Sequence, residues 1–442
     1  MSNKTKIVIL GGGFGGVYTA LRLDKTLARR ADVEVTLVSR DNFLLFTPML
    51  HEVASGDLNP SDIVNPVRRM LKRVQFVQAG VRSIDLAAKR VLCTRDQRQL
   101  PLDLDYDHLV LALGSETNFF GMQDVAENAV TLKTLGDASL LRARVLEILE
   151  AASLEPDADV RKQMLTFVVA GGGFAGVETI GALNDLVREA LRYYPRLAAQ
   201  EVRFDLVFLE DVVLPELGAK LGRYAQGKLA ARGVEIRQKT QVTGYDGSRV
   251  ALGTGKPISA STLIWTAGVA PNPVLAGLSS RKEKGRVVVN EFLEAPDFPG
   301  LWAVGDCAAV LDQRTGRLQP PTAQHALRQA RHAAKNIEAV LAGHQKKPFS
   351  FSTIGQLASI GHRNGVANIL GMNFSGFFAW FLWRSIYLLK LPRLAKKIRV
   401  ATSWVLEMIF SKDLEQMLTL RDVELISRTA SLSRDVATEL RN

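Results

Sequence analysis

Gly11, Gly13 and Gly16 stand in the spacing G-x-G-x-x-G, with Phe14 and Gly15 inside it. Such a turn can hold a pyrophosphate when a strand precedes it and a helix follows. The first glycine allows the tight turn, the second lets backbone amides approach the phosphates, and the third lets helix and strand pack closely. The free N–H groups and positive dipole end of the helix then face the anion. The spacing recurs at Gly171, Gly173 and Gly176, with Phe174 inside it. Two copies in one chain point to two dinucleotide sites.

The residue that ends the next strand sets the two sites apart. Residues 204–209 (Phe-Asp-Leu-Val-Phe-Leu) run into Glu210. A carboxylate there accepts from both ribose hydroxyls and repels a 2′-phosphate, which favours NADH over NADPH. In the first unit, residues 33–38 end in Ser39 and Arg40, with no acid. Serine can hydrogen-bond a ribose and Arg40 can stack on adenine; an ordinary strand-end loop is the alternative for both.

The elements that must position these turns are legible nearby. Residues 7–10 and 165–170 read as buried strands, and 17–23 and 177–191 as the helices that follow the turns. A chain of 442 residues is too long for one core, so two or three domains are expected. With 47% hydrophobic and 23% charged residues it is a folded globular chain. Its net charge of +11 suits nucleic acid, an anionic membrane face or a negative cofactor. No zinc-finger or helix-turn-helix signature stands out, and no basic run interleaved with aromatics marks the N-terminal part, so nucleic acid is not expected. The two cysteines, Cys93 and Cys307, are far apart, which supports neither a metal site nor a local redox disulfide. A reduced compartment is the simple reading. The apolar start is too short for a signal peptide, which places the protein on the cytoplasmic side.

Three further segments carry a resemblance. Residues 106–114 and 262–268 are apolar strands ending in small-residue turns, and residues 301–308 end a strand in Gly305 and Asp306. Together with the glycine turns they match two-dinucleotide flavin reductases, in which the aspartate meets the ribityl–pyrophosphate part of FAD. More narrowly, the chain resembles the type II NADH:quinone oxidoreductases over nearly its whole length. The marks are residues 45–50 (Leu-Phe-Thr-Pro-Met-Leu), 52–56, 171–178, 265–271, 305–308, 321–326 (Pro-Thr-Ala-Gln-His-Ala) and 377–383. The resemblance implies an α/β fold with two Rossmann-like domains. The FAD domain is split (residues 1–125 and 291–345) around an NADH domain (126–290), and a C-terminal α+β region (346–442) carries an amphipathic anchor and a homodimer contact. It adds Pro48, Val81, Gly114 and Ala323 to the FAD set. Two departures stand out: Ser39 replaces the usual ribose acid, and Arg328 replaces the final glutamine of the quinone element Ala-Gln-x-Ala-x-Gln.

The chemistry implied is hydride transfer from NADH to FAD, then two electrons to a membrane quinone, ubiquinone or menaquinone, without proton pumping. Small and apolar residues at Gly173, Phe174, Gly268 and Val269 suit a nicotinamide stacked on the flavin. A quinone also takes up two protons, so a titratable group is needed nearby. The resemblance places Glu178 there; as a plain helix carboxylate it would instead serve the dipole. His325 titrates in the right range but also suits a packing role. Gln324 can hydrogen-bond a quinone carbonyl or the flavin edge. Cys307 reads as a small core residue, and His51, His108, His332 and His362 read as structural.

In the tail, residues 357–360 and 366–370 predict a hairpin with an Asn364-Gly365 turn, followed by a helix from about Phe377 that Pro392 ends. Residues 394–410 predict a second helix. Its face of Leu394, Ile398, Ala401, Val405 and Met408, beside Lys396, Lys397 and Arg399 and with Trp404, suits an anionic membrane interface. Docking on the protein's own core or on a partner is the alternative. The rivals for function are a sulfide:quinone reductase, a ferredoxin reductase, and a flavin-bearing NADH sensor of low turnover.

Overall fold

The structure, a computed structural model, describes residues 4–95 and 99–415; the end of the expected C-terminal region lies outside them. β1 (Thr5–Leu10) leads through the first glycine turn into α1 (Phe14–Lys25), followed by β2 (Val33–Ser39), the short helix α2 (Leu50–Ala54), β3 (Gln75–Gln78) and β4 (His108–Leu111). Then come β5 (Val130–Thr131), β6 (Thr166–Ala170), α3 (Phe174–Ala190), β7 (Arg203–Val207), β8 (Val234–Arg237) and β9 (Thr262–Trp265). These last strands make a parallel sheet in the order β5-β9-β6-β7-β8. β10 (Leu301–Ala303) returns to the first sheet beside β4, giving β10-β4-β1-β2-β3, also parallel. The first sheet therefore draws strands from both sides of the second in sequence.

Both sheets are covered on two faces, which is why their central strands are continuous apolar runs rather than alternating ones. Ile7, Ile9 and Leu10 of β1 and Phe167, Val168 and Val169 of β6 are wholly buried. Helix α4 (Ala323–Leu341) lies along α1, clamped by the Arg22 guanidinium, which donates two 2.7 Å hydrogen bonds to the Glu338 carboxylate.

The C-terminal region departs from the expected hairpin. Its strands β11 (Gly355–Ser359), β12 (Gly365–Ile369) and β13 (Met372–Gly376) form a three-stranded antiparallel sheet. Gly365 pairs with Ser359 inside the sheet, so the turn is residues 361–364, with φ positive at Gly361, His362 and Arg363. The glycine is needed in the strand for another reason. A Cβ there would lie 2.8 Å from the backbone nitrogen of Trp380, so the following helix can approach only Gly365 this closely. The unforeseen third strand follows a turn of Leu370 and Gly371, both at positive φ, the geometry of a tight hairpin.

Two helices close the described chain, α5 (Phe377–Lys390) and α6 (Leu394–Ile409). α6 has two faces. Leu394, Ile398, Val405 and Met408 are exposed, from 48% to 71%. Lys396, Val400 and Trp404, each four residues on from the last, point inward and are buried. Two expectations are thereby corrected. The Lys396 ammonium donates to the Ser61 carbonyl, and the Trp404 indole N–H donates to Glu52 at 3.1 Å, so neither residue is available to a membrane face. Among the described residues no helix is long and apolar enough to cross a membrane.

Candidate active site

In parallel sheets ligands sit beyond the carboxyl ends of the strands. At or just beyond the carboxyl ends of β1, β2, β4 and β10 stand the 11–16 turn, Ser39 with Arg40, Gly114, and Asp306. Gly11 has φ +113°, and a Cβ at Gly16 would overlap the Gly11 carbonyl oxygen. A Cβ at Gly15 would crowd the Val304 and Ala112 side chains, at 3.0 and 3.2 Å. Ser39 is buried directly behind Gly12, and exposed Arg40 runs past Gly80, the neighbour of Val81. Asp306 accepts a 2.5 Å hydrogen bond from the Ser115 hydroxyl, to which Lys133 also donates at 2.8 Å. Burial holds the Lys133 ammonium below its ordinary range, against the pull of Asp306 and Glu116.

The second sheet repeats the arrangement. Gly171 has φ +122°, and a Cβ at Gly176 would overlap the Gly171 carbonyl oxygen. Glu210 is exposed three residues past β7; Gly268 sits against the Phe120 ring, and Val269 is half-exposed.

Each turn also passes a test of fit for a dinucleotide. Around Gly13, Gly114 and Gly173 there is open space where a Cβ would stand. Neither α1 nor α3 has a capping side chain or an acid in its first turn, so their N–H groups stay free for an anion. The residues thus fit FAD at the first turn and NADH at the second. FAD, when bound, supplies the two-electron carrier between a hydride donor and an electron acceptor.

Between the turns lies a cavity of about 1330 Å³ lined by Phe46, Pro48, Phe174, Ala323, Gln324 and Tyr387, with Glu178 and His51 at its buried end. Glu178 sits past the first turn of α3, so the dipole alternative does not describe it. Its Oε1 accepts from the Trp383 indole at 3.0 Å and the Ser359 amide at 3.2 Å. Burial pushes its carboxyl up to about 8, against those two bonds. His51 Nδ1 lies 3.7 Å from Glu178 Oε2, yet burial pushes the imidazole down to about 4. The pair is therefore a neutral acid beside a neutral ring at pH 7, not an ion pair. His51 Nε2 is buried with no hydrogen-bond partner among the described residues.

His51, which reads as structural from the sequence, lines the same cavity. Glu52 beside it is buried too, pushed up to about 8 by burial, with the Arg384 guanidinium 3.8 Å away acting in the opposite sense. Arg384 is held in turn by Glu407 at 2.6 Å. A His-Glu pair set among apolar residues 46–54 was the available signal. Gln324 faces the cavity and donates to the Gly355 carbonyl at 3.4 Å. His325 does not reach it. Residues 324, 327 and 328 share the cavity face of α4, so His325 turns inward, against the Phe351 ring and 2.7 Å from the Thr322 hydroxyl. Burial pushes its ring down to about 4.

Comparison with known proteins agrees with this geometry. The pyridine nucleotide-disulphide oxidoreductase pattern matches residues 5–330, and the NDH2 C-terminal domain matches residues 354–413. The chain is 34% identical to the type II NADH:quinone oxidoreductase Ndh of Mycobacterium tuberculosis, covering 96% of this chain and 92% of that one. It is 33% identical to a probable NADH dehydrogenase of Dictyostelium discoideum, covering 92% and 90%. The structure of NDH2 from Plasmodium falciparum in complex with NADH superposes with a TM-score of 0.87 at 20% identity, over 93% of this chain and 100% of that one. The chain belongs to the pyridine nucleotide-disulphide oxidoreductases and, among them, to the type II NADH:quinone oxidoreductases.

Proposed function

We propose that this chain, loaded with FAD, oxidises NADH and reduces a membrane quinone to the quinol, working at the cytoplasmic face of the inner membrane as a peripheral homodimer. NADH and one solution proton yield NAD⁺ and the two hydrogens of the quinol. The observation that carries the reading is a buried carboxyl, Glu178, pushed up to about 8 by burial, at the inner end of a cavity that adjoins both glycine turns. A protonated acid out of contact with bulk water is what a two-proton acceptor needs.

In this reading Glu178 hands a proton to the quinone oxygen, with neutral His51 beside it to help orient and resupply the carboxyl. Gln324 donates a hydrogen bond to a quinone carbonyl. Residues 1–125 and 291–345 hold FAD, residues 126–290 hold NADH, and the remainder meets membrane and partner. Of the rivals, the sulfide reaction is disfavoured by its thiols. Cys93 and Cys307 are buried away from the cavity, and burial pushes them up to about 11 and about 12, leaving no thiolate at neutral pH.

Glu210 is assigned to the adenosine ribose of NADH. Glu210→Ala is expected to raise the KM for NADH about tenfold or more, the worth of a hydrogen bond to a charged group, and to narrow the preference over NADPH. Unchanged discrimination in steady-state kinetics would show the ribose lies elsewhere.

The membrane contact is assigned to the outer faces of α5 and α6, where Phe377, Phe378, Phe381, Leu394 and Ile398 are each more than half exposed. Removing everything after Leu391 is a poor test of this. It would also remove Trp404 and Val400 from the core and leave Glu52 without its indole partner. Leu394→Ser, Ile398→Ser and Val405→Ser together touch the outer face alone. The triple variant is expected to keep its FAD and melting temperature and to lose flotation with anionic vesicles; continued flotation would count against the anchor. The exposed apolar residues at the end of α6 run round more than one stripe, through Leu406, Ile409 and Phe410. That breadth supports a partner subunit as well as lipid, and sedimentation in detergent checks the dimer.

A further inference from the structure

Among the described residues, nine cationic side chains and a single carboxyl, Glu178, line the cavity that holds the site. Arg22 is neutralised by Glu338. No acid among the described residues pairs with Arg328, Arg331, Lys390 or Arg393, which gather where the cavity reaches the surface. The first three are held instead by ring faces and one carbonyl. Arg328 lies over the Phe351 ring at 4.2 Å and donates to the Gln324 carbonyl at 3.1 Å, Arg331 lies over Tyr18 at 5.3 Å, and Lys390 lies over Tyr387 at 5.3 Å. These cations destabilise one another. Lys390 is held below its ordinary range by burial and then by Arg328, and Arg328 by burial and then by Arg331.

A cation cluster with no acidic partner at the edge of the cavity costs free energy that an anion would offset. The dinucleotides do not supply that anion, because their pyrophosphates are assigned to the N-terminal ends of α1 and α3. Lipid does. Leu389, which lines the cavity, and Leu394, which follows Arg393, are each 71% exposed. They place the cluster at the level where an apolar surface meets headgroups. Arg328 also stands where the family resemblance places glutamine, so the charge is a property of this chain.

We infer that Arg328, Arg331 and Lys390 form a binding site for the phosphate of an anionic phospholipid at the quinone entrance. The bound headgroup relieves the repulsion and fixes the rim through which quinone passes. The inference rests on the membrane-surface reading above.

The test uses FAD-loaded full-length enzyme in phosphatidylcholine vesicles with and without phosphatidylglycerol, carrying a long-chain quinone. Phosphatidylglycerol is expected to lower the KM for quinone. Arg331→Gln with Lys390→Gln is expected to remove that effect by about fivefold per cation, from about 1 kcal/mol for each basic residue near an anionic surface. Arg328→Gln is expected to act in the same direction. Flotation of the double variant and its kcat with a short-chain quinone in detergent stay near wild type. Wild-type flotation with a KM indifferent to phosphatidylglycerol would overturn this inference alone. So would an equal fall in KM when inorganic phosphate is added to the phosphatidylcholine vesicles, which would make the ligand a soluble anion. Failure of the wild type to float at all would overturn the membrane reading and this inference with it.

Discussion

Glu178→Gln slows reoxidation of the reduced enzyme by quinone by about two to four orders of magnitude, the usual worth of a positioned proton donor. Reduction by NADH stays near its wild-type rate, because that step calls on no proton from the cavity. Glutamine retains the shape and can still accept from the Trp383 indole and the Ser359 amide, so what is lost is the proton. Rapid-mixing kinetics of the two half-reactions separates the effects. Equal slowing of both would make Glu178 a structural residue.

The pH dependence follows with a definite sign. Glu178, pushed up to about 8, holds its proton at neutral pH and surrenders it as pH rises through that value. The quinone half-reaction should therefore fall above pH 8, and the fall should vanish in Glu178→Gln. Stability runs the same way. An unfolded glutamate ionises near ~4.3, so from there up to about 8 the unfolded chain has released a proton that the folded chain still keeps. The folded state loses stability as pH rises across that window. Glu52 adds to the loss, being raised to about 8 as well. Glutamine at 178 cannot ionise, so the variant should lose less melting temperature than wild type between pH 6 and 8, a window set by the raised values.

The second large effect separates binding from packing within one turn. Gly13→Ala puts a methyl group into open space, where no described residue other than its chain neighbours comes within 4 Å. Folding should be unaffected, while FAD affinity falls about ten- to a hundredfold, since charge-assisted bonds from the amides to the phosphates are each worth about 1.5–3 kcal/mol. Gly16→Ala instead drives a methyl into the Gly11 carbonyl at the crossing of β1 and α1. It should destabilise the fold by about 1–3 kcal/mol or more and yield little flavoprotein. The matched change Gly173→Ala should keep FAD and raise the KM for NADH. If Gly13→Ala bound FAD as wild type does, the pyrophosphate would have been placed at the wrong turn.

These turns were readable because everything they need is local. Strand, glycines, helix and the Glu210 position lie within about forty residues of one another in each unit, and the periodicity of each element is carried by its own side chains. The buried end of the cavity is different. Glu178, His51, Glu52, Trp383, Arg384, Trp404 and Glu407 come from four separate helices, and the bond from Trp404 to Glu52 spans 352 residues. No local pattern distinguishes a tryptophan that floats in lipid from one that donates to a buried acid. The same holds for Lys396, which sits among basic neighbours in sequence but turns inward on α6. His325 is the opposite case. Its type suited the chemistry, but helical geometry gives the cavity face to positions 324, 327 and 328. The Asn364-Gly365 pair looked like a turn, yet its glycine serves the close approach of Trp380.

The most direct test of the whole account is anaerobic double-mixing stopped flow on the FAD-loaded enzyme, following flavin absorbance. NADH should bleach the flavin within one turnover, more readily than NADPH, and a quinone analogue mixed in second should restore the colour at a rate no slower than kcat. A flavin that NADH leaves oxidised, or one that it bleaches but no quinone reoxidises, would contradict the account.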